Sequence, residues 1–71
     1  MMELAERTEA LMNWLFSFDL KRAKEIAIEV ADEMNDMWPN SDWDHIDGTV
    51  FSDRASKAYR IVEIKHPWLF R

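Results

Sequence analysis

Cysteine is absent from the 71 residues, which excludes disulfides and thiolate metal sites as sources of stability. Glycine occurs once and proline twice, too few for a turn-rich all-β fold or a low-complexity disordered chain. No apolar run approaches the roughly 20 residues that a membrane span needs, so no membrane partner is expected. Glu3, Glu6 and Glu9 stand where a secretion signal would carry bases ahead of an apolar stretch; the expected location is the cytoplasm. Catalytic groups are scarce as well. His45 and His66 are the only imidazoles, and Ser17, Ser41 and Ser52 fall where caps and turns want them. An enzyme is not expected, nor a cofactor.

What remains is aromatic and acidic. Four Trp, four Phe and one Tyr supply the apolar area that a chain this short needs to offset its conformational entropy, which costs on the order of 100 kcal/mol at roughly 1.5 kcal/mol per residue. A single domain over residues 1–71 is expected. Net charge is −5, unevenly spread: residues 1–50 hold 12 acids and 4 bases, whereas residues 51–71 hold 2 acids and 5 bases. Such asymmetry points to a charged partner or to two halves that fold against each other.

The periodicity predicts a mostly α, compact three-helix domain. Leu4 to Phe16 reads as a helix with Leu4, Thr8, Leu11 and Leu15 on one face. Its last turn, MNWLFSF, is apolar nearly all round, which suits either the central helix of the domain or a partner surface; the central position is the expectation. Asp19 is a predicted N-cap for a second helix to Met37, ended by Trp38-Pro39. Along it Ala23, Ile26, Ala27, Val30, Ala31, Met34, Met37 and Trp38 form one apolar face, while Glu25, Glu29, Asp32, Glu33 and Asp36 gather in an arc of about 100° beside it. Ser52-Asp53 is the expected start of a third helix, stopped by Pro67, with Phe51, Ala55, Ala58, Tyr59, Val62 and His66 sharing a face. An α+β alternative stands beside it: YRIVEI is rich in strand formers and Asp47-Gly48 suits a hairpin turn, giving two helices followed by a small antiparallel sheet.

The stretch WPNSDWDHIDGTVFSD, residues 38–53, is the most distinctive in the chain. A calcium loop of the EF-hand type fails by register. Starting at Asp42, the fifth position is Ile46 and Gly48 falls one place late. Asp42, Asp44, Asp47 and His45 remain as donors, yet no metal site is expected. A structured Asp/Trp-rich loop is expected instead, with Trp38 and Trp43 anchoring it on the helices and turn formers at each end. Aspartates beside exposed tryptophan edges also suit an Arg-rich partner.

Two interaction surfaces follow. In the first, Glu25, Glu29, Asp32, Glu33, Asp36, Trp38, Asp42, Trp43, Asp44 and Asp47 bind a protein with a basic surface. That partner would itself be a nucleic-acid-binding protein if the carboxylates mimic a phosphate track. Like charges three and four residues apart along the arc cost roughly 0.2–0.5 kcal/mol per pair, and either solubility or a basic partner explains keeping them. The chain would then be a regulator, inhibitor or accessory subunit, of the type that phages and mobile elements encode. In the alternative, Arg54, Lys57 and Arg60, spaced by three, touch nucleic acid directly. The tail WLF is expected to fold back onto the core, with a homodimer that buries it as the other arrangement.

Overall fold

Asp19 starts the helix around which the rest of the molecule packs. In the computed structural model, which describes residues 3–71, its carboxylate Oδ1 accepts the backbone N–H of Arg22 at 3.1 Å and opens α2, Leu20–Met37. The cap satisfies one of the donors that every helix start leaves free. Trp38 ends α2 because Pro39 disfavours a helical backbone in the residue before it, although the Trp38 N–H still reaches the Met34 carbonyl at 3.0 Å. Ala23, Ile26, Ala27, Val30, Ala31 and Met34 are all buried, as the periodicity predicts. At the far end of the same stripe Met37 is exposed and Trp38 half-buried.

α1 spans Leu4–Leu15 and packs on α2. Its buried face is turned from the expected one by about half of the 100° step between residues. Thr8 and Met12 are buried, whereas Leu15 is 45% exposed. Thr8 is tolerated inside because its hydroxyl donates to the Leu4 carbonyl at 2.7 Å, so that hydroxyl is not buried unpaired. The expectation that α1 is the central helix is also corrected. α2 holds that place, and Trp14 and Phe18 of the apolar turn stand 75% and 81% exposed.

α3 spans Gly48–Lys65 and packs on the other flank of α2. It begins four residues before the expected Ser52 cap, and no strand forms among the described residues. The α+β alternative fails at Asp47-Gly48. A two-residue hairpin turn of the Asp-Gly type needs positive φ, and Gly48 does not adopt it. Asp47 is instead the N-cap, its Oδ1 accepting the Thr49 N–H at 2.8 Å. Phe51, Ala55, Ala58 and Val62 are buried along the predicted face. Pro67 then forces a break, and Pro67–Phe70 form one 3₁₀ turn. The tail folds back as expected at Leu69 and Phe70, with the Phe70 ring 5.0 Å from Tyr59 and 6.5 Å from Phe16. Trp68 stays outside, 59% exposed.

The cap at Asp47 gives the fold a pH dependence. The Thr49 backbone N–H, and after it the Thr49 hydroxyl, hold the Asp47 carboxyl below its ordinary value of 3.8. A carboxylate favoured in the folded state adds stability that is present above the unfolded value and lost as pH falls through the lower folded value. Asp47→Asn keeps a capping oxygen but no charge. Its melting temperature is expected to lie below wild type above about pH 5 and to converge on it below pH 3.8. Circular dichroism melts across that range decide it, and a gap that does not change with pH rules the linkage out.

Candidate functional site

The acidic arc of α2 is divided by the end of α3. Lys65 Nζ donates to Glu33 Oε1, and His66 Nε2 lies 3.2 Å from Glu29 Oε2. Glu33, by hydrogen bond and by charge, raises the Lys65 ammonium above its ordinary 10.5, with a smaller contribution from Asp36. Part of the basic C-terminal segment therefore complements the arc within the fold. Glu25, Asp32 and Asp36 are exposed, and among the described residues none of them has an ion-pair partner within 4.0 Å.

Beside Glu25 lies a shallow cavity of about 370 Å³, walled by Glu25, Ile28, Glu29, His66, Trp68 and Leu69. Ile28 is 54% exposed, and the Trp68 ring stands edge-on to His66 at 5.1 Å. Neither Ile28 nor Trp68 was expected in a site. Ile28 does carry a signal, since at about 100° per residue it falls just beyond Asp32, outside the apolar stripe. Trp68 carries none, because its place depends on the break that Pro67 makes. An aromatic edge, an aliphatic wall and a carboxylate rim together suit the stem and charge of a lysine or arginine side chain.

The connector from Trp38 to Asp47 is held shut by two arginines. Arg7 of α1 donates to the carbonyls of Trp43 and Ile46 at 2.6 and 3.2 Å, with its guanidinium 4.3 Å above the Phe51 ring. Arg54 of α3 covers Trp38 and Trp43 at 5.1 and 5.5 Å and donates to Ser41 Oγ at 2.6 Å. Trp43 meets Trp38 and Phe51 edge-to-face at 6.3 and 6.1 Å. It is 8% exposed, so the expectation of an open Trp43 edge for a partner is corrected. Trp38 is half-buried and serves the same packing.

Comparison with protein families, curated proteins and solved structures finds no match.

The remaining predicted residues are dispersed. Asp42 and Asp44 are exposed on the connector, Asp42 accepting from or facing His45 Nδ1 at 2.8 Å, and Asp47 caps α3. Among the described residues no group of three or more His, Cys, Asp or Glu side chains converges as metal ligands would. The three bases of the triplet are placed differently. Arg54 is turned onto the connector, Lys57 pairs with Asp53 at 3.2 Å, and Arg60 is exposed.

Proposed function

We propose that this chain is a small protein-binding domain, a regulator, inhibitor or accessory subunit that works without catalysis. It engages a basic surface of another protein through the outer arc of α2. The observation that carries this reading is the pairing of free charge with exposed apolar surface. Glu25, without an ion-pair partner among the described residues, lines one cavity with Ile28 and Trp68, and Asp32 and Asp36 follow one and two helical turns beyond Ile28 on α2. A face kept only for solubility needs the carboxylates but not a tryptophan at their edge, whereas binding sites combine an aromatic anchor with a charged rim. Asp42 and Asp44 extend the negative field along the connector and steer a cationic partner. The partner's own function, including nucleic-acid binding, is part of the same proposal, and so is a cytoplasmic setting.

The test is capture of partners from cell lysate by the tagged chain at two salt concentrations, with nuclease treatment. A stoichiometric protein that survives nuclease and is weakened by salt is expected. Asp32→Lys with Asp36→Lys should then weaken that complex on the order of 100-fold while helicity stays unchanged, since both side chains are exposed. Trp68→Ala should cost about tenfold or more. Wild-type affinity in the folded charge-reversed variant sinks the proposed face. Recovery of nucleic acid in place of protein would move the function to Lys57 and Arg60.

A further inference from the structure

The walls of the cavity between α2 and the 3₁₀ turn set its chemistry. Glu25 and Glu29 both line it, and they stand one helical turn apart on α2, which places their Cβ atoms about 5–6 Å from each other. Among the described residues no lysine or arginine lines it. Lys21 and Lys24, a turn earlier, come within 4.0 Å of neither carboxylate, and Arg22 is bound to Asp19 and to the Arg71 carbonyl. His66 faces Glu29 at 3.2 Å. Two carboxylates and one imidazole sum to −2 when the imidazole is neutral and to −1 when it is protonated, so the walls are negative either way. The remaining walls are apolar. Ile28 and Trp68 are 54% and 59% exposed, and Leu69 is half-buried. A volume of about 370 Å³ lies near the bottom of the range of about 300–1,000 Å³ for ligand pockets, which gives room for one side chain and not for a large molecule.

We propose that this cavity is a socket for a single arginine of the basic partner, whose stem lies along Ile28 and Leu69 and whose guanidinium stacks on Trp68 and divides its N–H donors between Glu25 and Glu29. The inference rests on the reading of the α2 arc and names the side chain that the arc receives. Three physical differences choose arginine over lysine. The guanidinium holds five donors in a rigid planar fork, so it serves two carboxylates at once, whereas an ammonium is a compact point charge. Its flat face stacks on an indole, and arginine is the commoner cation over aromatic rings. It is also the more weakly hydrated cation, so it gives up less on leaving water for a shallow, half-apolar site. Two of the walls are already ordered by His66. Its Nε2 lies against Glu29 Oε2, which leaves the other oxygen of that carboxylate for the fork, and the Trp68 ring meets the imidazole edge-to-face at 5.1 Å. A site ordered before its ligand arrives spends less on binding.

Nuclear magnetic resonance titration of the full chain with three short glycine peptides tests this, each capped at both ends and carrying one arginine, one lysine or one citrulline. The arginine peptide is expected to shift the Trp68 indole, the Ile28 methyls and the His66 ring, with an affinity about fivefold or more above that of the lysine peptide. Citrulline keeps the shape without the charge and should shift none of them. Glu25→Gln should weaken arginine binding about tenfold, as loss of one charged hydrogen bond does, and Trp68→Ala about fivefold or more. Both side chains are exposed, so helicity should be retained. Asp36→Asn, about 12 Å along the helix from Ile28 and beyond the screening length at physiological salt, should leave the affinity within about twofold. No binding, or equal binding of arginine and lysine, overturns the proposal. So does arginine binding that Glu25→Gln and Trp68→Ala leave unchanged, or that shifts other surfaces in place of the cavity. The socket and the arc fail separately. A protein partner lost on charge reversal at Asp32 and Asp36, beside a cavity indifferent to arginine, removes the socket and keeps the arc. Arginine seated in the cavity, with no partner sensitive to that reversal, keeps the socket and removes the arc.

Discussion

Trp43→Ala is expected to remove about 3–5 kcal/mol of stability and to leave the chain largely unfolded near body temperature. The available total is small. At about 0.05–0.15 kcal/mol per residue, a domain of 71 residues holds roughly 4–11 kcal/mol. Trp43 is where the connector, α1 and α3 meet. Its ring fills the space between Trp38 and Phe51, Arg54 lies over it, and Arg7 holds its carbonyl. Alanine leaves a cavity that none of these rigid neighbours can fill, and it removes the apolar surface under Arg54 as well. Trp43→Phe makes a sharper control. The buried Nε1 has no hydrogen-bond partner among the described residues, so phenylalanine loses ring volume without breaking a bond seen there, and about 1–2 kcal/mol is expected. Urea unfolding followed by circular dichroism separates the two variants. A Trp43→Ala protein within about 1 kcal/mol of wild type would show that the connector packs without its anchor.

The same residue shows how far the sequence could be read. That Trp43 belongs to a structured connector follows from the turn formers around it. Whether its edge faces a partner or the core depends on Arg7 and Arg54, which approach from separate helices and leave no local trace. α2 was legible from end to end because cap, stripe and stop agree: Asp19, the buried run from Ala23 to Met34, and Trp38-Pro39. α3 was legible by its face and not by its start. Asp-Gly suits a hairpin and a helix cap equally well, and the choice rests on what Phe51 packs against. The strand formers of YRIVEI are overridden in the same way, since Val62 is buried on the helical face while Ile64 is left 81% exposed. In α1 the stripes Leu4–Thr8–Met12 and Leu4–Leu11–Leu15 differ by a fraction of a turn. The rotation at which α1 settles on α2 decides that Leu15 is the one left at the surface. For the α2 surface, charge marked the arc but not its pairing. Which carboxylates are spent on Lys65 and His66 depends on where α3 ends, and the exposed Trp68 depends on the turn after it.

Arg7→Ala is expected to cost about 2–4 kcal/mol, through lost charged hydrogen bonds and a lost cation–π contact. Such a loss is unusual for an arginine that is only half-buried. Most surface arginines contribute little, because water competes for their charge and the side chain pays entropy to stay in place. Arg7 differs in what it binds. Its two acceptors are backbone carbonyls of the connector, 36 and 39 residues along the chain, in a segment without helix or strand to satisfy them. Its guanidinium carbon lies 4.3 Å over the centre of the Phe51 ring, which helps hold the fork in place. Removing it frees the start of α3 as well, since Ile46 lies just before the Asp47 cap. The expected drop in melting temperature is about 8–30 °C, at roughly 4–8 °C per kcal/mol for a domain of this size. Arg7→Lys should recover a minor part, because an ammonium can reach one carbonyl but neither bridges both nor stacks. Thermal melts of the two variants, beside Phe51→Leu and the Arg7→Ala/Phe51→Leu double variant, separate stacking from hydrogen bonding. If the two single losses simply add, the stack contributes nothing and the carbonyl bonds alone hold α1 to the connector.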